Sequence, residues 1–208
     1  MKKIEKKKLD VVFILDKSGS MSGSEENTIS SFNEYLEKEK KNTYDTFITT
    51  VMFSDNYNIV HDRIDAKNVK KLTNKDYYVG GCTALYDALG TAITNMDKKD
   101  TDKVLFIIIT DGYENASKEY NNDKIKNMIK NHDSWEFIYI GADIDSYASG
   151  GRIGIKKENI ANYKKDKKGT SKLFKAVESF EMGIMCDCES SINWKEELDE
   201  YIKENKNN

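Results

Sequence analysis

Two unbroken apolar runs stand out from a polar chain, Val-Val-Phe-Ile-Leu at 11–15 and Val-Leu-Phe-Ile-Ile-Ile at 104–109. Runs of this length read as strands buried on both faces, and both deliver the chain to a carboxylate, Asp16 directly and Asp111 after Thr110. Elsewhere the spacing becomes helical. Ile29, Phe32 and Leu36 predict a helix over about 24–40, and Leu85, Ala88, Leu89, Ala92, Ile93 and Met96 predict a second. Ile125, Met128, Ile129 and His132 share one face of a third, over about 118–131.

The β-branched and aromatic stretch 46–53 predicts a second strand. The Ser54-Asp55-Asn56 turn after it is so short that 57–61 returns antiparallel, as an edge strand. Residues 62–79 are mixed and polar, with one helical turn near Asn68. A further strand is expected over 135–140, a short helix over 143–149, a last strand over 160–163, and a closing helix through Leu173, Phe174 and Val177. Strands alternating with helices imply right-handed crossovers and a mainly parallel sheet covered on both faces. Trp194, Leu198, Tyr201 and Ile202 fit one face of a terminal helix, packing on its own domain or docking a partner. The expected organisation is a charged lead over 1–8, one α/β domain over 9–180 and a helical extension over 181–208.

Composition narrows the function classes. The chain has 208 residues, 38% of them hydrophobic, enough for one good core. Its 33 basic and 36 acidic residues leave a net charge of −3, and Arg63 and Arg152 are its only arginines. Bidentate recognition of phosphate or guanine favours arginine, so nucleic acid is not the expected partner. The lysine-rich start is followed by too short an apolar run for a signal peptide, and no run approaches the roughly 20 residues that span a bilayer. With an odd set of three cysteines, Cys82, Cys186 and Cys188, these features predict a soluble cytoplasmic protein without membrane contact.

The chemistry is concentrated in Asp16-Lys17-Ser18-Gly19-Ser20, where Asp-x-Ser-x-Ser puts three hard oxygen ligands on one short turn and Gly19 permits a tight bend. That set suits Mg²⁺ or Mn²⁺; a polar turn capping the helix after Ser24 is the competing reading. Two later stretches add to it. Gly80-Gly81-Cys82-Thr83-Ala84-Leu85 places a glycine-flanked hydroxyl before a helix, and Thr110-Asp111-Gly112 ends the second buried strand.

Taken together, Asp16, Ser18, Ser20, Thr83 and Asp111 resemble the metal-ion-dependent adhesion site of von Willebrand factor A-type domains, in a single-domain microbial form. The resemblance covers about residues 9–180. It implies a doubly wound, Rossmann-like α/β fold with a six-stranded sheet in the order 3-2-1-4-5-6, strand 3 antiparallel, and helices on both faces. It also implies that those five residues hold Mg²⁺ or Mn²⁺ and that Gly19, Asp87, Gly112, Tyr113 and Glu114 form the surroundings or rim of the site. The expected activity is not enzymatic but binding, the ion capturing an Asp or Glu carboxylate of a partner protein. By family analogy that partner is a ring ATPase or a stress-response protein.

Other chemistries fit less well. An EF-hand starting at Asp16 fails, because Met21 stands at the glycine position and Asn27 at that of the bidentate Glu. No phosphate-cradling Gly-x-x-x-x-Gly-Lys-Ser/Thr word occurs. His61 and His132 read as structural, which weakens a Ser-His-Asp hydrolase. The rival readings are a hydrolase using the same cation, with Glu114 or Asp143 as base, and a scaffold with an unused cleft. Cys82 with Cys186 and Cys188 makes a poor soft-metal set. Tyr57, Tyr77, Tyr78 and Tyr86 are rim or packing residues.

Overall fold

A computed structural model describes residues 7–99, 101–186 and 193–205. The first apolar run lies within strand β1 (Lys8–Asp16), and its side chains alternate between two cores. Leu9, Val11, Phe13 and Leu15 enter one; Val12 and Ile14 enter the other. Every one of them is at most 1% exposed, which is why the run shows no period of two in polarity. At about 2 kcal/mol of transfer free energy for each large side chain, β1 is the spine of the molecule.

β1 pairs in parallel with β2 (Asp45–Phe53) on one side and β4 (Lys103–Thr110) on the other. β2 pairs antiparallel with β3 (Tyr57–Asp65), while β5 (Glu136–Gly141) and β6 (Ile160–Asn162) continue the parallel sheet beyond β4. The order is β3-β2-β1-β4-β5-β6, as the resemblance implies. One face carries α1 (Glu25–Glu39) and α5 (Lys167–Met185), which contribute Phe32, Tyr35, Leu36, Leu173, Phe174 and Val177. The other carries α2 (Leu85–Met96) and α3 (Asn122–Asn131) through Leu85, Leu89, Ile93, Ile125 and Ile129. The winding reverses between β1 and β4, so their carboxyl ends open into one crevice, with α4 (Ser146–Arg152) following β5 nearby.

Several boundaries differ from the expected ones, for local reasons. α3 begins at Asn122 instead of near 118, because the Asp87 carboxylate accepts from the backbone N–H of Lys118, Glu119 and Tyr120. Asn121 then caps the helix through its side-chain oxygen and Lys124 N–H. β3 continues past 61 to Asp65 through register shifts, and Arg63 sits there at φ 48°. α4 starts three residues late because Asp145 caps it on Ala148 N–H. Trp194 precedes α6 (Glu196–Glu204) and packs edge-on against Phe180, 5.4 Å between ring centres. With Leu198 it joins the α1/α5 core, so the terminal helix packs on its own domain. Among the described residues no helix is long and apolar enough to cross a membrane.

Candidate metal centre

The turn after β1 is held by neighbours on every side. Lys17 N–H donates to Phe53 O at the end of β2, Gly19 N–H to Gly81 O, and Gly80 N–H to Lys17 O. The buried Tyr77 hydroxyl donates to Asp16 O at 2.6 Å. The loop carrying Asp16, Ser18 and Ser20 is therefore zipped to the Gly80-Gly81 loop that leads to Thr83. Gly81 lies at φ 84°, a conformation that strains any other residue, and a Cβ there would displace the Asp55 carboxylate, which accepts from Cys82 N–H.

Within this frame the predicted ligands meet. Ser18 N–H donates to Asp16 Oδ1 at 2.6 Å, Ser18 Oγ and Ser20 Oγ are 3.1 Å apart, and Ser20 Oγ donates to Asp111 Oδ1 at 2.5 Å. Thr83 approaches from the loop that leads into α2. A Cβ on Gly112 would lie 2.7 Å from Thr83 Oγ1 and 3.5 Å from Ser20 Oγ, which gathers the three loops around that one glycine. Asn115 fixes Thr83 reciprocally, its Oδ1 accepting from Thr83 N–H at 2.9 Å and its N–H donating to Thr83 O at 3.0 Å. Asp16, Ser18, Thr83 and Asp111 are buried, whereas Ser20 is exposed and marks the side open to solvent.

The donor set fits a hard divalent cation. All five side chains offer oxygen, two of them as carboxylates, and among the described residues the Asp16 carboxylate receives only neutral donors. Burial pushes the Asp16 carboxyl up; hydrogen bonds from the Thr110 hydroxyl and Ser18 pull it back, and the charge of Asp111 pushes it up again. A cation already leans on Asp111: Lys165 Nζ donates to its Oδ2 at 2.6 Å. Burial works against that ammonium, but the Asp111 and Asp143 carboxylates outweigh it and raise its pKa.

Of the residues expected around the site, Gly19 and Gly112 lie in its loops, while Asp87 and Glu114 are committed to backbone donors. Asp87, expected beside the site, spends both oxygens on the backbone of 118–120. Glu114 likewise accepts from Tyr86, Ala116 and Ser117 N–H and from the Ser117 hydroxyl. Both carboxylates shape the loop that holds Asn115. Tyr113 is 57% exposed, its hydroxyl accepting from Asp145 N–H. Tyr78 is exposed with Lys17 Nζ over its ring, while Tyr77 is core. His61 stacks on Phe32 and bonds Thr50, and His132 lies between Met128 O and Asp97; both are structural. Cys82 and Cys186 are exposed, and Cys188 lies outside the described residues.

Sequence reasoning missed Thr110, Asn115 and Lys165. Thr110 donates to Asp16 Oδ2 at 2.5 Å and was legible as a polar residue ending an apolar strand. Lys165 lies in Lys-Lys-Asp-Lys-Lys, where nothing distinguishes one lysine from the next.

A family model of the von Willebrand factor type A (VWA) domain matches residues 10–178. The chain belongs to that family. No curated protein matches it. Among solved structures, this VWA domain is similar to proximal thread matrix protein 1 from the mussel byssus with a zinc-occupied MIDAS motif. That pair shares 17% identity with a TM-score of 0.60, over 83% of this chain and 45% of that one. The PilB minor pilin of Streptococcus sanguinis aligns at 10% identity and TM-score 0.63, over 88% of this chain and 63% of that one. The vWF domain of the type V pili tip protein Mfa5 from Porphyromonas gingivalis aligns at 11% and 0.63, over 86% and 97%. The chain thus spans less than half of the mussel protein, and identities this low speak for the fold.

Proposed function

We propose that this VWA domain is a divalent-metal-dependent protein-binding module in which Asp16, Ser18, Ser20, Thr83 and Asp111 hold Mg²⁺ or Mn²⁺ and a partner's Asp or Glu carboxylate is captured there. The observation that carries the reading is that Ser20 Oγ lies within hydrogen-bond distance of both Ser18 Oγ and Asp111 Oδ1, with Ser20 exposed on the outer side. The zinc-occupied MIDAS motif of the mussel protein supports it by likeness. When bound, the ion supplies a concentrated positive charge with a coordination position left for an outside oxygen.

The chain's own residues do the rest. Thr110 and Ser18 N–H hold the Asp16 carboxylate from two sides, Ser20 orients Asp111, and Asn115 fixes the backbone of Thr83. A hydrolase is the weaker alternative, since Glu114, one of two candidate bases, is consumed by four loop donors and Asp143 is ion-paired with Lys165. We place the module in the cytoplasm on its cysteine usage, with a ring ATPase or stress-response protein as the family-analogous partner.

The test is Mn²⁺ binding followed by electron paramagnetic resonance, for the wild type and Ser18→Ala, together with partner retention in Mg²⁺ and in chelator. Binding lost in Ser18→Ala, and a partner released by chelator or by replacing one of its own carboxylates, is the expected result. Equal retention with and without the ion rules the module out; turnover of a phosphoester or peptide panel favours the hydrolase.

A further inference from the structure

The site contains a cation of its own. Lys165 Nζ lies 2.6 Å from Asp111 Oδ2, 3.1 Å from the Ser20 carbonyl oxygen and 3.2 Å from Asp143 Oδ2. The one ammonium ties together the loops after β1, β4 and β5. Two of these carry residues that would hold a metal ion, so the lysine already bridges them.

Its position is built. Lys165 lies in the turn between β6 and α5, and Asp166 beside it caps α5 on Gly169 N–H at 2.7 Å while accepting the Tyr201 hydroxyl of α6 at 3.0 Å. Gly169 lets the turn close: a Cβ there would lie 2.1 Å from Lys164 O. The Asp111 side chain is wholly buried and that of Lys165 only 23% exposed, so their attraction is screened far less than that of a surface pair. Asp143, its side chain 70% exposed, stands on the solvent side as a second acceptor for the same ammonium.

Resting on the metal-binding reading above, we propose that Lys165 is a tethered competitor for the divalent ion. It neutralises Asp111 when no ion is bound and passes to Asp143 when one enters. A divalent ion and an ammonium crowded on one carboxylate repel each other, and Asp143 offers the ammonium a place a short swing away. Metal affinity is thereby set below what the five oxygens alone would give, and the apo fold avoids two bare buried carboxylates.

The experiment compares Mn²⁺ dissociation constants of the wild type, Lys165→Met, Lys165→Gln, Lys165→Arg and Asp143→Asn, alongside melting curves in chelator and in saturating Mg²⁺. Both neutral variants bind Mn²⁺ at least about tenfold tighter, the order by which one neighbouring charge shifts a carboxylate's proton affinity. Lys165→Arg keeps the charge and stays near the wild type, and Asp143→Asn binds more weakly. In chelator Lys165→Met melts below the wild type, and Mg²⁺ abolishes the gap. Equal or weaker Mn²⁺ binding in both neutral variants overturns the competition while leaving the metal site standing. No Mn²⁺ binding by any variant removes the metal site, and the competition with it.

Discussion

Strand β1 buries a carboxylate near each end, and the two are treated in opposite ways. Asp10, 1% exposed, is clamped by Arg63, Nε to Oδ1 at 2.8 Å and Nη2 to Oδ2 at 3.1 Å. Asp16, not exposed at all, receives neutral donors alone: Ser18 N–H and the Thr110 hydroxyl. The bidentate guanidinium closes the first site, leaving no place or charge for a ligand. The second has, among the described residues, no cation on its own carboxylate and lies beside Asp111; burial, and then the charge of that neighbour, lift its pKa. One end of the strand is finished as structure; the other is left wanting a cation.

Breaking the closed end gives the largest effect on the fold. Arg63→Met strands a buried charge, and urea denaturation is expected to show a loss of about 3 kcal/mol with Mn²⁺ affinity unchanged. The open end reverses this pattern. On the proposed metal-binding reading, Asp16→Asn is expected to lower Mn²⁺ affinity about 100-fold, equivalent to about 2.7 kcal/mol of binding free energy, while stability in chelator holds or rises. If Asp16→Asn costs as much fold stability as Arg63→Met, the two carboxylates do the same structural job and the contrast collapses.

Glu181 sharpens the contrast with a third solution. It is 1% exposed on α5, and its Oε1 accepts the Tyr35 hydroxyl of α1 at 2.6 Å. Burial first, and then the negative charge of Glu39, hold its carboxyl well above the usual range, so here a proton does what Arg63 does for Asp10. Glu39 is itself raised by burial, against hydrogen bonds from Thr46 and Asn42. A raised folded pKa means the folded chain keeps a proton the unfolded chain releases. That stability is complete below the unfolded carboxylate value of about 4.3 and is lost as pH rises through the folded value. As pH rises above the unfolded value the wild type is therefore expected to lose up to about 1.4 kcal/mol per pH unit through this group, and Glu181→Gln to flatten the slope. An unchanged slope in that variant assigns the pH dependence elsewhere.

How far such sites can be read from the chain follows from how local their causes are. The open end was legible because Asp16, Ser18 and Ser20 share five residues, and because the strand order that the family resemblance implies, and the fold has, brings Asp111 beside them. The closed end was not. Arg63 and Asp10 are 53 residues apart, and Arg63 reaches across only because β3 continues past 61 through register shifts. Glu181 fell to the same limit, since its partners Tyr35 and Glu39 sit on α1. Lys165 illustrates another: among neighbouring lysines, the useful one is chosen by the Gly169 and Asp166 turn that aims it.

Asp87 sets the smallest effect and the finest distinction. It stands four residues after Thr83, a spacing that invites a role beside the ion, yet its oxygens accept from Lys118 N–H at 2.8 Å and from Glu119 and Tyr120 N–H at 2.9 Å. Those bonds fold the loop between Asp111 and α3 back onto α2, where Ser117 Oγ also accepts from Asp87 N–H. An amide can accept fewer of them, so Asp87→Asn is expected to cost about 1 kcal/mol of stability. Mn²⁺ affinity should stay within about twofold of the wild type, because Thr83 is held by Asn115 and not by Asp87. A tenfold loss of Mn²⁺ affinity with stability intact would instead place Asp87 in the shell around the ion.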